Sequence, residues 1–219
     1  KIEAVTAMLA PASVELANRR LFTERDFDLF EDGDNYEEQQ RRLDGIRREV
    51  LTAILRTNGM EGIVRFAKDV ESPRKVGEAL GAIEDPTIDS FLLPAFLTKS
   101  ERDISLFFGS YVWRRVFTQK WAWVDHQLGK GWHNDQLLAF LLLIPSERET
   151  WNRVDRILSN EADHYWKAVG FIPWGMEATD ILYAAEKLAS NGQPAGAVNC
   201  LYVLAQKKVP VPMPLASSA

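Results

Sequence analysis

The stretch TDILYAAEKLASNGQPAGAVNCLYVLAQ, residues 179–206, decides the fold. Ile181, Ala184, Ala185, Leu188 and Ala189 recur at helical spacing and define one apolar face. Glu186, Lys187 and Ser190 fall on the other side. Gly192 stands where a helix ends in the left-handed conformation, which glycine adopts without a Cβ clash. Pro194 suits the first turn of a new helix, where no N–H is needed. The second arm then offers Val198, Leu201, Tyr202 and Ala205 as its apolar stripe, with Cys200 opposite it on what reads as a second packing surface. A turn this short makes the arms antiparallel neighbours. Small residues at Ala184, Ala185 and Ala197 let them approach closely.

The punctuation repeats upstream. Tyr36–Arg56 predicts a long helix with Leu43, Ile46, Val50, Leu51, Ile54 and Leu55 inward, ended by Asn58-Gly59. Further helices are expected over Glu61–Val70, Pro73–Ile83, Thr87–Leu97, Ser100–Phe117, Gln119–Gly129, Asn134–Ile144, Glu147–Leu158 and Asn160–Val169. Ile2–Leu21 reads as a helix interrupted near Pro11. Phe22–Asn35 reads as a loop whose aromatics tuck onto the first hairpin. No segment carries the period-two apolar runs of strands. The expected architecture is all-α: a right-handed superhelical stack of antiparallel αα hairpins, one domain over residues 1–206. An extended or disordered proline-rich tail follows over 207–219.

The succession Tyr183-Ala184, Leu188, Asn191-Gly192, Ala197 and Leu201 resembles a tetratricopeptide-type repeat. It covers one unit, and the tryptophan and downstream proline of the full motif are missing. HEAT-like stacks tolerate the same uneven spacing. The style of the chain is also similar to helical repeat regions of large bacterial multidomain regulators. That resemblance implies a non-catalytic scaffold or sensing segment that binds a protein or peptide, or other domains of its own parent chain.

Composition narrows the partners. A net charge of −5 over 219 residues speaks against a dominant nucleic-acid or anionic-membrane partner. A lone Cys200 supports neither a disulfide framework nor a structural zinc site, and suits the reducing cytoplasm. The longest apolar run, Leu137–Ile144, falls short of the ~20 residues that span a bilayer. The start at Lys1 reads as a domain cut from something larger.

Three places carry polar chemistry. Glu161-x-x-His164 has the spacing of a carboxylate-bundle metal motif, but its companion motifs are missing, so no metal and no cofactor is expected. Asp125-His126 and His133-Asn134-Asp135 are neighbours in sequence that a helix points apart. No nucleophile elbow or phosphate loop occurs, and no enzyme activity is expected. The third place interleaves basic and aromatic residues: Trp113-Arg114-Arg115, Lys120-Trp121-Ala122-Trp123, Lys130 and Trp132. Arg114, Lys120, Trp123, Lys130 and Trp132 are the candidate binding residues, for protein first and single-stranded nucleic acid second. A HEAT-like nucleic-acid binder or base-repair enzyme with a tryptophan-lined groove is the alternative function. Trp113 and Trp121 are expected in the core, because Ser100–Phe117 is apolar on both faces. Arg115 falls in the middle of the Ile104, Phe108 and Tyr111 face, which predicts a buried guanidinium met by a carboxylate or several carbonyls.

Overall fold

The structure, a computed structural model, describes residues 13–30 and 35–210. The break expected at Pro11 and the tail beyond Pro210 lie outside those residues. Among the described residues the fold is all-helical and contains no strand. The helices are α1 (Val14–Asn18), α2 (Tyr36–Asp69), α3 (Pro73–Gly81), α4 (Pro86–Leu92), α5 (Arg102–Leu128), α6 (Asn134–Leu143), α7 (Arg148–Leu158), α8 (Ala162–Ala168), α9 (Ala178–Ser190) and α10 (Pro194–Gln206). They divide into two compact units, one up to Gly131 and one from Trp132.

In the first unit the main pairing is α3 against α5, with α2 packed on both. Two glycines one turn apart permit it. A Cβ on Gly77 would run into the carbonyl oxygen of Phe107. One on Gly81 would lie 2.8 Å from the oxygen of Tyr111 and 2.7 Å from Cβ of Arg114. The backbones therefore touch, and Ile104, Phe107, Phe108, Tyr111 and Val112 of α5 are sealed beneath α3. The opposite face of α5 is not sealed, contrary to expectation. Trp113 is 56% exposed and Phe117 63% exposed, because α3 covers one face only.

Both long helices bend. Gly59 takes φ 64° and ψ −167° inside α2, where the sequence marks a stop. Lys120 takes φ 58° and ψ −160° inside α5, so the break expected near Thr118 falls two residues later. The inward stripe of α2 also differs at Ile46, and Leu55 is only half-buried. Ile46 is partly exposed while Arg47 is buried, because Arg47 ties down the preceding loop. Its Nε donates to the Leu21 carbonyl at 2.7 Å and its Nη2 to Asp26 at 2.6 Å. Of the loop aromatics, Phe22 is buried edge-on to Phe66 at 5.1 Å, whereas Phe27 stays exposed. The helix expected over Thr87–Leu97 is shorter: α4 stops at Leu92 and turns fill the remainder.

In the second unit, Trp151 and Trp166 are fully buried and lie 5.5 Å apart, and Trp151 stacks on Tyr183 at 5.5 Å. Arg148 covers the Tyr183 ring at 4.2 Å and pairs with Asp180. α9 and α10 form the expected hairpin. Gly192 has φ 75°, Gln193 N–H returns to the Leu188 carbonyl at 2.9 Å, and Gly192 N–H returns to Ala189. These two bonds are the Schellman pattern that stops a helix. Ile181, Ala184, Ala185 and Leu188 face inward as expected. The face of α10 does not follow expectation. Ala197, Cys200, Val203 and Leu204 pack inward, while Val198 and Tyr202 are 51% and 54% exposed. The inward face is small near the turn, at Ala197 and Cys200, and bulky further on, at Val203 and Leu204. Burial pushes the Cys200 thiol up to about 11, which removes it as a nucleophile.

Candidate functional site

The polar centre of the first unit is built on Asp89. Asp85 caps α4 by accepting from the Thr87 N–H at 2.9 Å, and Pro86 opens the helix. Asp89, one turn on, is thereby turned toward α5 and buried. Tyr111 donates its hydroxyl to Oδ1 of Asp89. Arg115 donates Nε to Oδ1 at 3.1 Å and Nη2 to Oδ2 at 3.2 Å. Its remaining donors reach the carbonyls of Ile83 at 3.2 Å and Asp85 at 3.4 Å. The expected buried guanidinium is thus present, and it meets a carboxylate and two carbonyls together. Burial works against its charge, but the oxygens of Tyr111 and Asp89 outweigh burial and raise its pKa. Burial, reinforced by Asp89, raises the Tyr111 phenol too, so Tyr111 remains a neutral donor.

The second arm of α5 reaches the same carboxylate. Trp123 donates its indole N–H to Oδ2 at 2.9 Å, and Gln127 donates Nε2 at 3.5 Å. The bend at Lys120 brings them there. A lysine at φ 58° and ψ −160° occupies a region that is essentially restricted to glycine, at a cost of ~1–3 kcal/mol. The contacts to Asp89 offset that strain. Because Nε2 must face the carboxylate, Oε1 of Gln127 faces away, and it is buried without a hydrogen-bond partner. Above the cluster is an open hollow of about 500 Å³, with Glu84 and Lys130 among the residues at its edge. Asp89 is saturated by donors and so cannot serve as a general base. The chemistry of this cluster is structural: it locks the two arms of α5 to α4.

The five candidate binding residues separate into three places. Arg114 and Lys120 flank exposed Phe117, with the Arg114 guanidinium 5.8 Å and the Lys120 ammonium 4.7 Å from its ring centre, but only Lys120 is exposed; Arg114 is half-buried against Gly81 of α3, its Nε buried without a hydrogen-bond partner. Lys130 lines the hollow, and Trp123 is buried in its floor, with no ring face free for stacking. Trp132 belongs to the second unit, where it is half-buried and edge-on to Phe140 at 5.3 Å. Trp121 is half-buried, and Trp113 is not in the core. Sequence reasoning missed Trp113 and Phe117 as surface residues and Asp89 as the hub. The signal for Asp89 was a carboxylate set between Ile88 and Leu92, both buried.

Among the described residues no group of three or more His, Cys, Asp or Glu side chains could hold a metal ion, and Glu161 and His164 are both exposed. No helix among them is long and apolar enough to cross a membrane. Fold and surface define a class, an all-helical chain of two compact units with an open aromatic and basic helix face. No protein-family model, curated protein or solved structure matches the chain.

Proposed function

We propose that the chain is a non-catalytic protein-interaction segment of an αα-hairpin stack, acting in the cytoplasm as a scaffold or sensing arm. The observation that carries this reading is the open face of α5. Trp113 and Phe117 stand out from the surface, and two cations lie against Phe117. Trp and Arg are the side chains that most often dominate protein–protein binding energy. Along this face the cations Arg102 and Lys120 outnumber the one flanking carboxylate, Asp103, so the fitting partner is a segment that combines acidic and apolar residues.

A peptide library displayed on phage tests this. Selection on the intact chain should enrich acidic peptides with an aromatic or aliphatic anchor. Affinity should fall at least about tenfold in Trp113→Ala and in Phe117→Ala, the loss typical of a hot spot. No enrichment, or enrichment that both variants retain, overturns the proposal. The same exposed rings and cations favour a second reading, single-stranded nucleic acid stacked on Trp113 and Phe117. Salt-sensitive oligonucleotide binding lost in Lys120→Ala and Trp113→Ala would install that reading in place of the first.

A further inference from the structure

From Pro194 to Gln206, α10 contains no charged residue, although one side of it faces solvent. A helix on the outside of a fold ordinarily carries its charges there. Here the outward stripe is Val198, Leu201, Tyr202 and Ala205, at the i, i+3, i+4, i+7 spacing of a packing face. Trp174, 59% exposed, leans edge-on against Tyr202 at 6.3 Å, and Ile172, two residues earlier, is 72% exposed. Helix α10 is thus apolar on both sides and partnered on one.

We propose that this outer face is a dimer interface between two copies of the chain. Three features select a second copy as the occupant. First, the face has no charge with which to attract or steer a charged partner, and none with which to repel its own copy. Secondly, the stripe is self-complementary. A two-fold axis between Leu201 and Tyr202 sets two α10 helices antiparallel, with Val198 of each copy opposite Ala205 of the other and Leu201 opposite Tyr202. Large then meets small at each end, and the contact closes on itself. Thirdly, the area is of the order that a weak dimer needs. Aromatic side chains carry ~150–250 Å² each, so four large side chains half or more exposed offer roughly 500 Å² per copy. About 1,000 Å² in the pair, with all of that area covered, has the size of a weak, transient interface, and a patch of this size on one copy is at the upper end of those that monomers expose.

The test is sedimentation equilibrium and light scattering on the full chain from about 1 to 100 μM, a range that spans ordinary dimer affinities. The expected mass approaches twice the 24.9 kDa of one chain as concentration rises. Tyr202→Glu and Val198→Glu should each weaken the dimer by at least about tenfold, since each would bury an unpaired carboxylate. Both positions point away from α9, so circular dichroism and thermal unfolding should change little. Trp113→Ala, on the open face of α5, should leave the dimer intact, which separates this interface from the one proposed above. A monomer throughout the range, or a dimer indifferent to both glutamates, overturns the proposal.

Discussion

Asp89 and Arg115 form a buried ion pair, and such a pair is a weak source of net stability but a costly thing to break. The lone partner left behind decides the loss. Arg115→Ala should cost ~3 kcal/mol or more, because the Asp89 carboxylate keeps only the neutral donors Tyr111, Trp123 and Gln127. Arg115→Met should cost nearly as much, since filling the volume leaves the charge unanswered. The double variant Arg115→Met with Asp89→Asn should recover a large part of the loss. Denaturant unfolding of the three proteins checks this, and a double variant no better than either single one would mean that the charge is not the cause. Of this pair only one member was legible in the sequence. Arg115 sits among apolar residues at helical spacing, so its burial, and its need for a counter-charge, could be argued. Asp89 comes from a separate helix, 26 residues away, and helical spacing says nothing about which carboxylate crosses that gap.

Two further residues store unfavourable free energy. Lys120 holds a backbone conformation suited to glycine, and its side chain contributes only an exposed contact with Phe117. Lys120→Gly should therefore stabilise the fold by about 1 kcal/mol, whereas Lys120→Val should destabilise it. Thermal melts of the pair give the sign, and an equal loss in both would show that the bend carries no strain. Glu78 is the second. Partial desolvation raises the carboxyl pKa of this solvent-exposed side chain, and Lys75 and Arg74 offset this only in part, so solvent screening keeps the effect small. A carboxyl raised on folding contributes most below its ordinary pKa, and that contribution is lost as pH rises through the folded value. Glu78→Gln should thus gain a small amount of stability over wild type at pH 7, a few tenths of a kcal/mol at most for an exposed group, on the order of surface charge effects, and show little difference at pH 4. An equal gain at both values would exclude the ionisation as the cause.

At the scale of elements, contact distance rather than apolar pattern governs the packing. Gly77 and Gly81 let α3 lie directly on the backbone of α5. Gly77→Ala has no flexible neighbour to push aside, and should cost more than the ~1–3 kcal/mol typical of overpacking. Gly45, in the middle of α2, has open space where a Cβ would go, so Gly45→Ala should add roughly 0.5–1 kcal/mol by helix propensity alone. Chemical denaturation of the two variants should move in opposite directions. A loss in both would show that α2 is also packed tightly at Gly45. The same principle explains what the sequence revealed of the α9–α10 hairpin. Its turn was legible because Gly192 and Pro194 act locally. The inward face of α10 was not, because both of its faces are apolar, Ala197, Cys200, Val203 and Leu204 on one and Val198, Leu201 and Tyr202 on the other, and which of two apolar faces is covered is a tertiary fact. Trp113 was misjudged for the same reason, since an apolar side chain shows that a face can be buried but not that anything covers it.

At the scale of the whole molecule, the two proposed surfaces differ in their response to salt. The chain carries a net charge of −5, so two copies approaching through α10 repel one another at long range while the contact itself is uncharged. Salt removes that repulsion, since the screening length falls from ~30 Å at 0.01 M to ~10 Å at 0.1 M. It also strengthens apolar burial when the salt is a sulfate. The dimer should therefore tighten as ionic strength rises. An acidic segment on the open face of α5 depends chiefly on attraction to exposed Lys120, which salt weakens. Sedimentation at low and moderate salt reports the first trend, and titration of a selected acidic peptide under the same conditions reports the second. If dimer affinity falls with salt, ion pairs hold the copies together and the uncharged face of α10 is not the contact. If peptide binding is indifferent to salt, the cations beside Phe117 do not take part, and the aromatic pair Trp113 and Phe117 would have to carry recognition alone.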